Sequence, residues 1–182
     1  GNVGEAVCYT LMVRRQASEI VLVDINGDRA EGSALDIVHG TAFFHQVKVR
    51  NGGYEDCADA QIIILTAGVA RKPGQSRLEL AQTNVNIMKS IMPQVTKYAP
   101  DAMYIIVSNP VDILTYQWCK RSGLPENHII GSGTILDTAR LKARLSEYYN
   151  ISQSNVHAYV FGEHGDSSFV PWSLANISNI PV

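Results

Sequence analysis

Short apolar, β-branched runs alternate along this chain with amphipathic segments of helical length, and no other feature limits its fold so strongly. A buried strand followed by a crossover helix, repeated, is the pattern of a parallel α/β sheet with helices on its faces. Residues 4–17 read as a helix, and 19–24, Glu-Ile-Val-Leu-Val-Asp, as a short buried strand. Residues 28–40 are expected to be helical, with Ala30, Ala34 and Ile37/Val38 on one face. Residues 46–50 alternate like a half-exposed strand, and 61–66 form a second buried one. Gly68, Pro73 and Gly74 mark 67–77 as a long loop. The helix expected over 78–97 carries Ala81, Val85, Met88, Ile91 and Val95 at helical spacing. A strand over 103–107, helices over 111–121 and 134–149, and a strand over 156–161 complete the series, with no internal repeat or low-complexity linker.

Composition narrows the class further. The 182 residues suit one domain or slightly more, and 46% hydrophobic against 18% charged residues is a globular balance. A net charge of −2 leaves no electrostatic footprint for nucleic acid or an anionic membrane surface. Cys8, Cys57 and Cys119 are too few and too scattered for a disulfide framework or a zinc site, and no metal is expected. They fit a reducing compartment; with no leader-like start and no apolar run of membrane length, a cytoplasmic location is expected. Two glycosylation-type triplets, Asn150-Ile-Ser and Asn176-Ile-Ser, then read as chance matches. The chain starts without Met and ends on Pro181-Val182 with no closing helix, so it reads as a piece of a longer protein, and the functional expectations concern that protein.

Two constellations carry chemistry. Gly1-x-x-Gly4 opens a helix, and Asp24 ends the strand twenty residues after Gly4. Glycines let the backbone approach a pyrophosphate at a helix N-terminus, and an acid at that distance accepts a ribose hydroxyl. The bland alternative is that Gly4 packs helix on strand and Asp24 caps a turn. Ile25 and Asn26 offer no arginine for a 2′-phosphate, which favours NAD over NADP. The second constellation joins Gly-Glu-His-Gly-Asp at 162–166 to Leu-Asp-Thr-Ala-Arg at 136–140. A histidine between glycines, an aspartate to hold it and an arginine to grip a carboxylate are the groups needed for acid–base chemistry on a 2-hydroxy acid. Taken singly, His164 reads more readily as a turn residue, and Asp137–Arg140 as a surface pair one helical turn apart.

The blocks Gly-Asn-Val-Gly (1–4), Val-Asp (23–24), Thr-Ala-Gly (66–68), Arg-Lys-Pro-Gly-x-x-Arg (71–77), Ser-Asn-Pro-Val-Asp-Ile-Leu-Thr-Tyr (108–116), Gly-Ser-Gly-Thr-x-Leu-Asp-Thr-Ala-Arg (131–140) and Gly-Glu-His-Gly-Asp occur in the order of one family. Along essentially its whole length the chain resembles the L-lactate and malate dehydrogenases. The resemblance implies a Rossmann-type doubly wound parallel sheet over 1–130, with its first strand missing, and the start of an α+β catalytic domain over 131–182. It implies NAD as cofactor, held by Gly1, Gly4, Asp24, Gly68 and Asn109. His164 is implied as proton donor and acceptor, with Asp137 on its far ring nitrogen favouring the imidazolium. Arg140 is implied to grip the substrate carboxylate. Arg77 would be brought to the reacting carbonyl by closure of the 67–76 loop, and Asn109 would bond near nicotinamide and substrate. A homo-oligomer, dimer or tetramer, and a place in glycolysis and fermentation also follow from the resemblance.

The choice of acid is divided. Arg71 matches the family's discriminating position, where a positive group pairs with the second carboxylate of oxaloacetate. Glu163 before the histidine, Trp172 and the long 108–116 and 131–140 blocks resemble the lactate branch, so pyruvate and L-lactate are expected, with malate as the alternative. His157 and Lys142 match, with lysine in place of the usual arginine, the basic pair that binds fructose 1,6-bisphosphate in bacterial relatives. A catalytically silent binding module or a bare nucleotide sensor are the remaining readings; the first predicts a broken His, Asp or Arg, and the second leaves 131–166 unexplained.

Overall fold

The computed structural model describes residues 1–182 except Arg71, Lys72, Gln75 and Val182, and of Arg77 only the backbone. Helix α1, Asn2–Val13, turns Cys8 and Met12 inward. It ends four residues before the expected Ala17. Arg15 enters the left-handed region at φ 52°, its N–H bonds to the Met12 carbonyl and that of Gln16 to the Leu11 carbonyl. This closes the helix as a glycine would, without a glycine to announce it. Strand β1 (Glu19–Leu22) pairs in parallel with β2 (Lys48–Asn51), and α2 (Gly27–Gly40) connects them. Asn26 starts α2 by accepting the Arg29 N–H at 3.0 Å. Ala34 and Ile37 of α2 pack with Cys8, Met12, Val47 and Val49 in one apolar cluster.

A second parallel sheet runs β3 (Ile62–Leu65), β4 (Met103–Ile106), β5 (Ile129–Gly131), with β4 in the centre. Helix α3 (Arg77–Tyr98) is opened by a reciprocal Ser76–Glu79 capping box, and α4 (Val111–Arg121) follows β4. Their inward faces meet the sheet in the main core, with Leu65, Met88, Val95, Tyr104, Ile106, Leu114 and Trp118. Tyr104 is fully buried, donates to the Ala99 carbonyl at 2.8 Å, and desolvation pushes its phenol up to about 12.

The two sheets share no ladder among the described residues. In a doubly wound sheet the place between β1 and β3 belongs to the strand before the first helix, and the described residues contain no strand before α1. The two runs expected to be buried are therefore buried only in part, with Leu65 in the main core and Ile20 and Leu22 packed against the first cluster. Each of these strands has one ladder partner among the described residues, and Ile62 is 56% exposed.

Helix α5 (Ile135–Tyr149) ends at Asn150, left-handed at φ 53°. It packs Leu141 and Leu145 on a small cluster of Val156, Ala158 and Ala175. There β6 (Val156–His157), β7 (Asn176–Ile177) and β8 (Ile180–Pro181) form an antiparallel sheet. The strand expected over 156–161 keeps only its first two residues in the ladder, because the backbone of Val160 is taken by side chains of α5's start. Among the described residues no helix is long and apolar enough to cross a membrane.

Candidate active site

Of the predicted site residues, Gly68 and Asn109 follow β3 and β4, and Asp137, which meets His164, lies on the helix that follows β5; this is the edge at which open α/β sheets bind ligands. The histidine loop is built first. Phe161 and Phe169 exchange both backbone hydrogen bonds, at 2.8 and 2.9 Å, and so pinch off residues 162–168 as a closed loop. Gly162 opens it at φ 90°, where a Cβ would also press to 3.0 Å from the Ser167 carbonyl. Upstream, the Thr134 hydroxyl donates to the Val160 carbonyl at 2.6 Å and the Val160 N–H donates to the Thr138 hydroxyl at 2.9 Å, tying the strand to the start of α5.

The same helix turn presents Asp137, whose Oδ2 lies 2.5 Å from His164 Nδ1. Both side chains keep about a quarter of their surface, 23% for Asp137 and 29% for His164, so the ring is gripped on one nitrogen and open on the other side. Asp137 Oδ1 meets Arg140 Nη1 at 3.3 Å, with Arg140 itself 64% exposed. An exposed pair of this kind contributes under about 1 kcal/mol to stability, so Arg140 is available to a ligand. A third contact comes from the β4–α4 connection: Asp112, in the first turn of α4, accepts the His164 N–H at 2.8 Å through Oδ2.

The dinucleotide residues lie on the neighbouring elements. A Cβ on Gly4 would sit 2.8 Å from Thr66 Oγ1, so glycine alone lets the first turn of α1 pass this close to the end of β3. Open space surrounds Gly1. At the end of β1 the Asn26 N–H donates to Asp24 Oδ1 at 3.0 Å. A Cβ on Gly68 would come within 3.2 Å of Asn84 Oδ1. A close-approach glycine in the first turn of a helix and an acid at the strand end fit a dinucleotide, whose pyrophosphate Gly1 and Gly4 would take and whose ribose Asp24 would take.

Spacing alone missed two residues here. Asn84, 2% exposed on α3, accepts the Val69 N–H at 2.9 Å and donates to the Asn109 carbonyl at 2.7 Å, so it clasps the ends of β3 and β4 together. Asp112 reaches across fifty-two positions to a backbone N–H. A backbone partner leaves no pattern in side-chain spacing, and no signal in the chain could have paired them. Arg71 lies outside the described residues. Arg77 begins α3, and its side chain lies outside them too. Asn109 is exposed beside Pro110. His157 points outward from β6, and Lys142 Nζ sits 4.9 Å over the ring of Tyr159, the next outward residue. Among the described residues no cluster of His, Cys, Asp or Glu could hold a metal ion.

Known proteins resemble this arrangement closely. Residues 1–131 match the family model described as the lactate/malate dehydrogenase NAD binding domain, and 134–182 that of the alpha/beta C-terminal domain. L-lactate dehydrogenase 1 of Clostridium acetobutylicum is 52% identical over all 182 residues, which span 58% of its length. The minor L-lactate dehydrogenase of Enterococcus mundtii superposes with a TM-score of 0.96 at 42% identity, over 100% of this chain and 58% of that one. The malate dehydrogenase of Picrophilus torridus gives 0.93 at 36% identity, over 98% and 57%. The chain belongs to the lactate/malate dehydrogenase family and carries its NAD-binding region.

Proposed function

We propose that the protein to which these residues belong is an NAD-dependent L-lactate dehydrogenase that interconverts pyruvate and L-lactate. The observation that carries the reading is the single carboxylate of Asp137, which holds His164 Nδ1 on one oxygen and Arg140 on the other. Proton transfer and carboxylate binding then share one rigid helix turn. When bound, the reduced nicotinamide supplies a hydride to the carbonyl carbon. His164, its Nδ1 taken, gives the proton of its other ring nitrogen to the carbonyl oxygen and takes it back in the reverse reaction. Arg140 holds the substrate carboxylate by two parallel hydrogen bonds. Arg77 polarises the carbonyl when the preceding loop closes, Asn109 hydrogen-bonds near the nicotinamide and the substrate, and Asp24, Gly1, Gly4 and Gly68 hold the dinucleotide. The dinucleotide-binding part ends near residue 130 and the catalytic part begins at 131.

Malate is the second reading, favoured by Arg71. Against it stand Glu163, Trp172 and the higher identity to the lactate enzymes than to the malate enzyme compared. The deciding experiment follows NADH oxidation by the full-length protein with pyruvate and oxaloacetate in parallel. Preference for pyruvate supports the proposal, preference for oxaloacetate replaces it with malate, and no turnover of either leaves a binding module. Fructose 1,6-bisphosphate is included in a second series. A phosphate at His157 and Lys142 would have to compete for the lysine with Tyr159, and it lowers half-saturation for pyruvate if this pair is an effector site.

A further inference from the structure

We propose that Asp112 is a positioning residue for proton transfer, fixing the His164 loop to the strand end that presents Asn109; this rests on the dehydrogenase reading above. His164 is held at two atoms by two carboxylates of different origin. Asp137 sets the orientation of the ring through Nδ1, from α5. Asp112 sets the position of the backbone through its N–H at 2.8 Å, from the first turn of α4. These do separate work. A ring correctly oriented on a displaced backbone still misses its target, because proton transfer needs heavy atoms within about 3 Å.

The placement of Asp112 gives the contact its meaning. It stands three residues after Asn109 on the connection that leaves β4, and its turn is anchored beneath by Val111, Leu114 and Trp118, all buried. The Asn109 carbonyl is itself clasped by Asn84. One rigid turn therefore carries both the candidate ligand-facing Asn109 and the acceptor that locates His164, so the two share one reference frame. The 162–168 loop has its own closure at Phe161–Phe169, but that pair and the Thr134 and Thr138 contacts tie it to its own half of the chain. The hydrogen bond from the His164 N–H to Asp112 joins it to the dinucleotide half. A carboxylate suits this position, because the start of a helix favours a negative group and a charged acceptor makes a stronger bond to an N–H than a neutral one.

The test uses the full-length enzyme. D112A removes the acceptor, and kcat for keto-acid reduction falls roughly 30- to 100-fold, the scale of an ångström-sized misplacement. The KM for the keto acid and the affinity for NADH change less than about two-fold, because Arg140 and the dinucleotide residues are untouched. The primary isotope effect with 4-deuterated NADH grows, since chemistry becomes rate-limiting. D112N keeps an oxygen acceptor and recovers at least about ten-fold of the loss. Unchanged kcat in D112A overturns the proposal. So does a loss that D112N does not recover, or one that falls in step with NADH affinity as a general folding defect would. Independently of turnover, the His164 amide exchanges at least about ten-fold faster with solvent deuterium in D112A. If the wild type reduces neither pyruvate nor oxaloacetate, the dehydrogenase reading fails, and the amide exchange alone decides whether Asp112 holds the loop: an unchanged rate refutes it.

Discussion

Replacing Asn84 tests whether the ends of β3 and β4 are held by one buried side chain. Its Oδ1 accepts the Val69 N–H at 2.9 Å, and its Nδ2 donates to the Asn109 carbonyl at 2.7 Å and to the Val69 carbonyl at 3.3 Å. N84L fills nearly the same space and leaves three backbone groups without that partner. Each such bond is worth about 0.5–1.5 kcal/mol net. The 3.3 Å contact is the weakest, and Val69 and Asn109 lie on exposed loop ends where water replaces part of what is lost. The expected cost is therefore roughly 2 kcal/mol, well below the sum of three unpaired buried groups. N84D separates the two roles of the amide. It keeps an acceptor for Val69 N–H but turns a carboxylate oxygen toward the Asn109 carbonyl. Only its protonated form can donate there, so the folded state raises the carboxyl's pKa above its unfolded value. Stability of N84D then rises as the pH falls through that raised pKa, opposite to a salt-bridged acid. Urea unfolding of the full-length protein at pH 7 and pH 5, followed by far-ultraviolet dichroism, measures both. A cost for N84L below about 0.5 kcal/mol, or an N84D deficit that does not shrink at pH 5, would refute the clasp.

Three further outcomes follow from the site and its surroundings. H164A loses about 10²- to 10⁴-fold in kcat/KM for keto-acid reduction, while NADH binding by fluorescence titration stays within about two-fold; unchanged turnover would remove His164 from the mechanism. R140K keeps the charge but not the paired geometry, and the keto-acid KM rises roughly 10- to 100-fold, the worth of one charge-assisted bond; a KM within about two-fold would move the carboxylate site elsewhere. Arg50 bridges Glu19 and Asp56 at 2.9 and 2.7 Å. The Glu19 carboxyl is held below its usual range by Arg50 first and then Lys48, and that of Asp56 by the Gly53 N–H first and then Arg50. A carboxyl depressed in the folded state stabilises above its unfolded pKa, near about 4, and loses that contribution as pH falls through the folded value. The denaturant midpoint of the E19Q/D56N variant therefore drops less between pH 6 and pH 3 than that of the wild type, and equal drops would show that the network is not titrating.

What can be read from the chain follows the range of the forces involved. Helix α4 matches the expected 111–121 at both ends, and α2 and α3 differ by a residue or so, because amphipathic spacing is local to each element. Sequence and structure part where a distant partner decides. The β-branched runs of β1 and β3 read as buried strands, yet burial depends on a second neighbour that neither has among the described residues. The apolar run after His157 reads as strand, yet Thr134, just before α5, and Thr138, in its first turn, claim the Val160 backbone first. Strand β5 has no counterpart in the sequence reading, since three residues ending at Gly131 carry no periodicity. The β7–β8 hairpin turns through Ser178 and Asn179 at φ 49° and 69°, a turn that usually announces itself by glycine. The candidate site divides the same way. Asp137 and Arg140, one turn apart, are visible on any helical reading, and the meeting of Asp137 with His164 is suggested by their residue types and implied by the family resemblance, with no spacing to dictate it. Asp112 and Asn84 act on backbone groups, which every residue possesses, so residue type at their partners is free to vary and spacing is silent. Side chains that choose the chemistry are thus the ones a sequence displays, and the side chains that fix where that chemistry happens are displayed only by the fold.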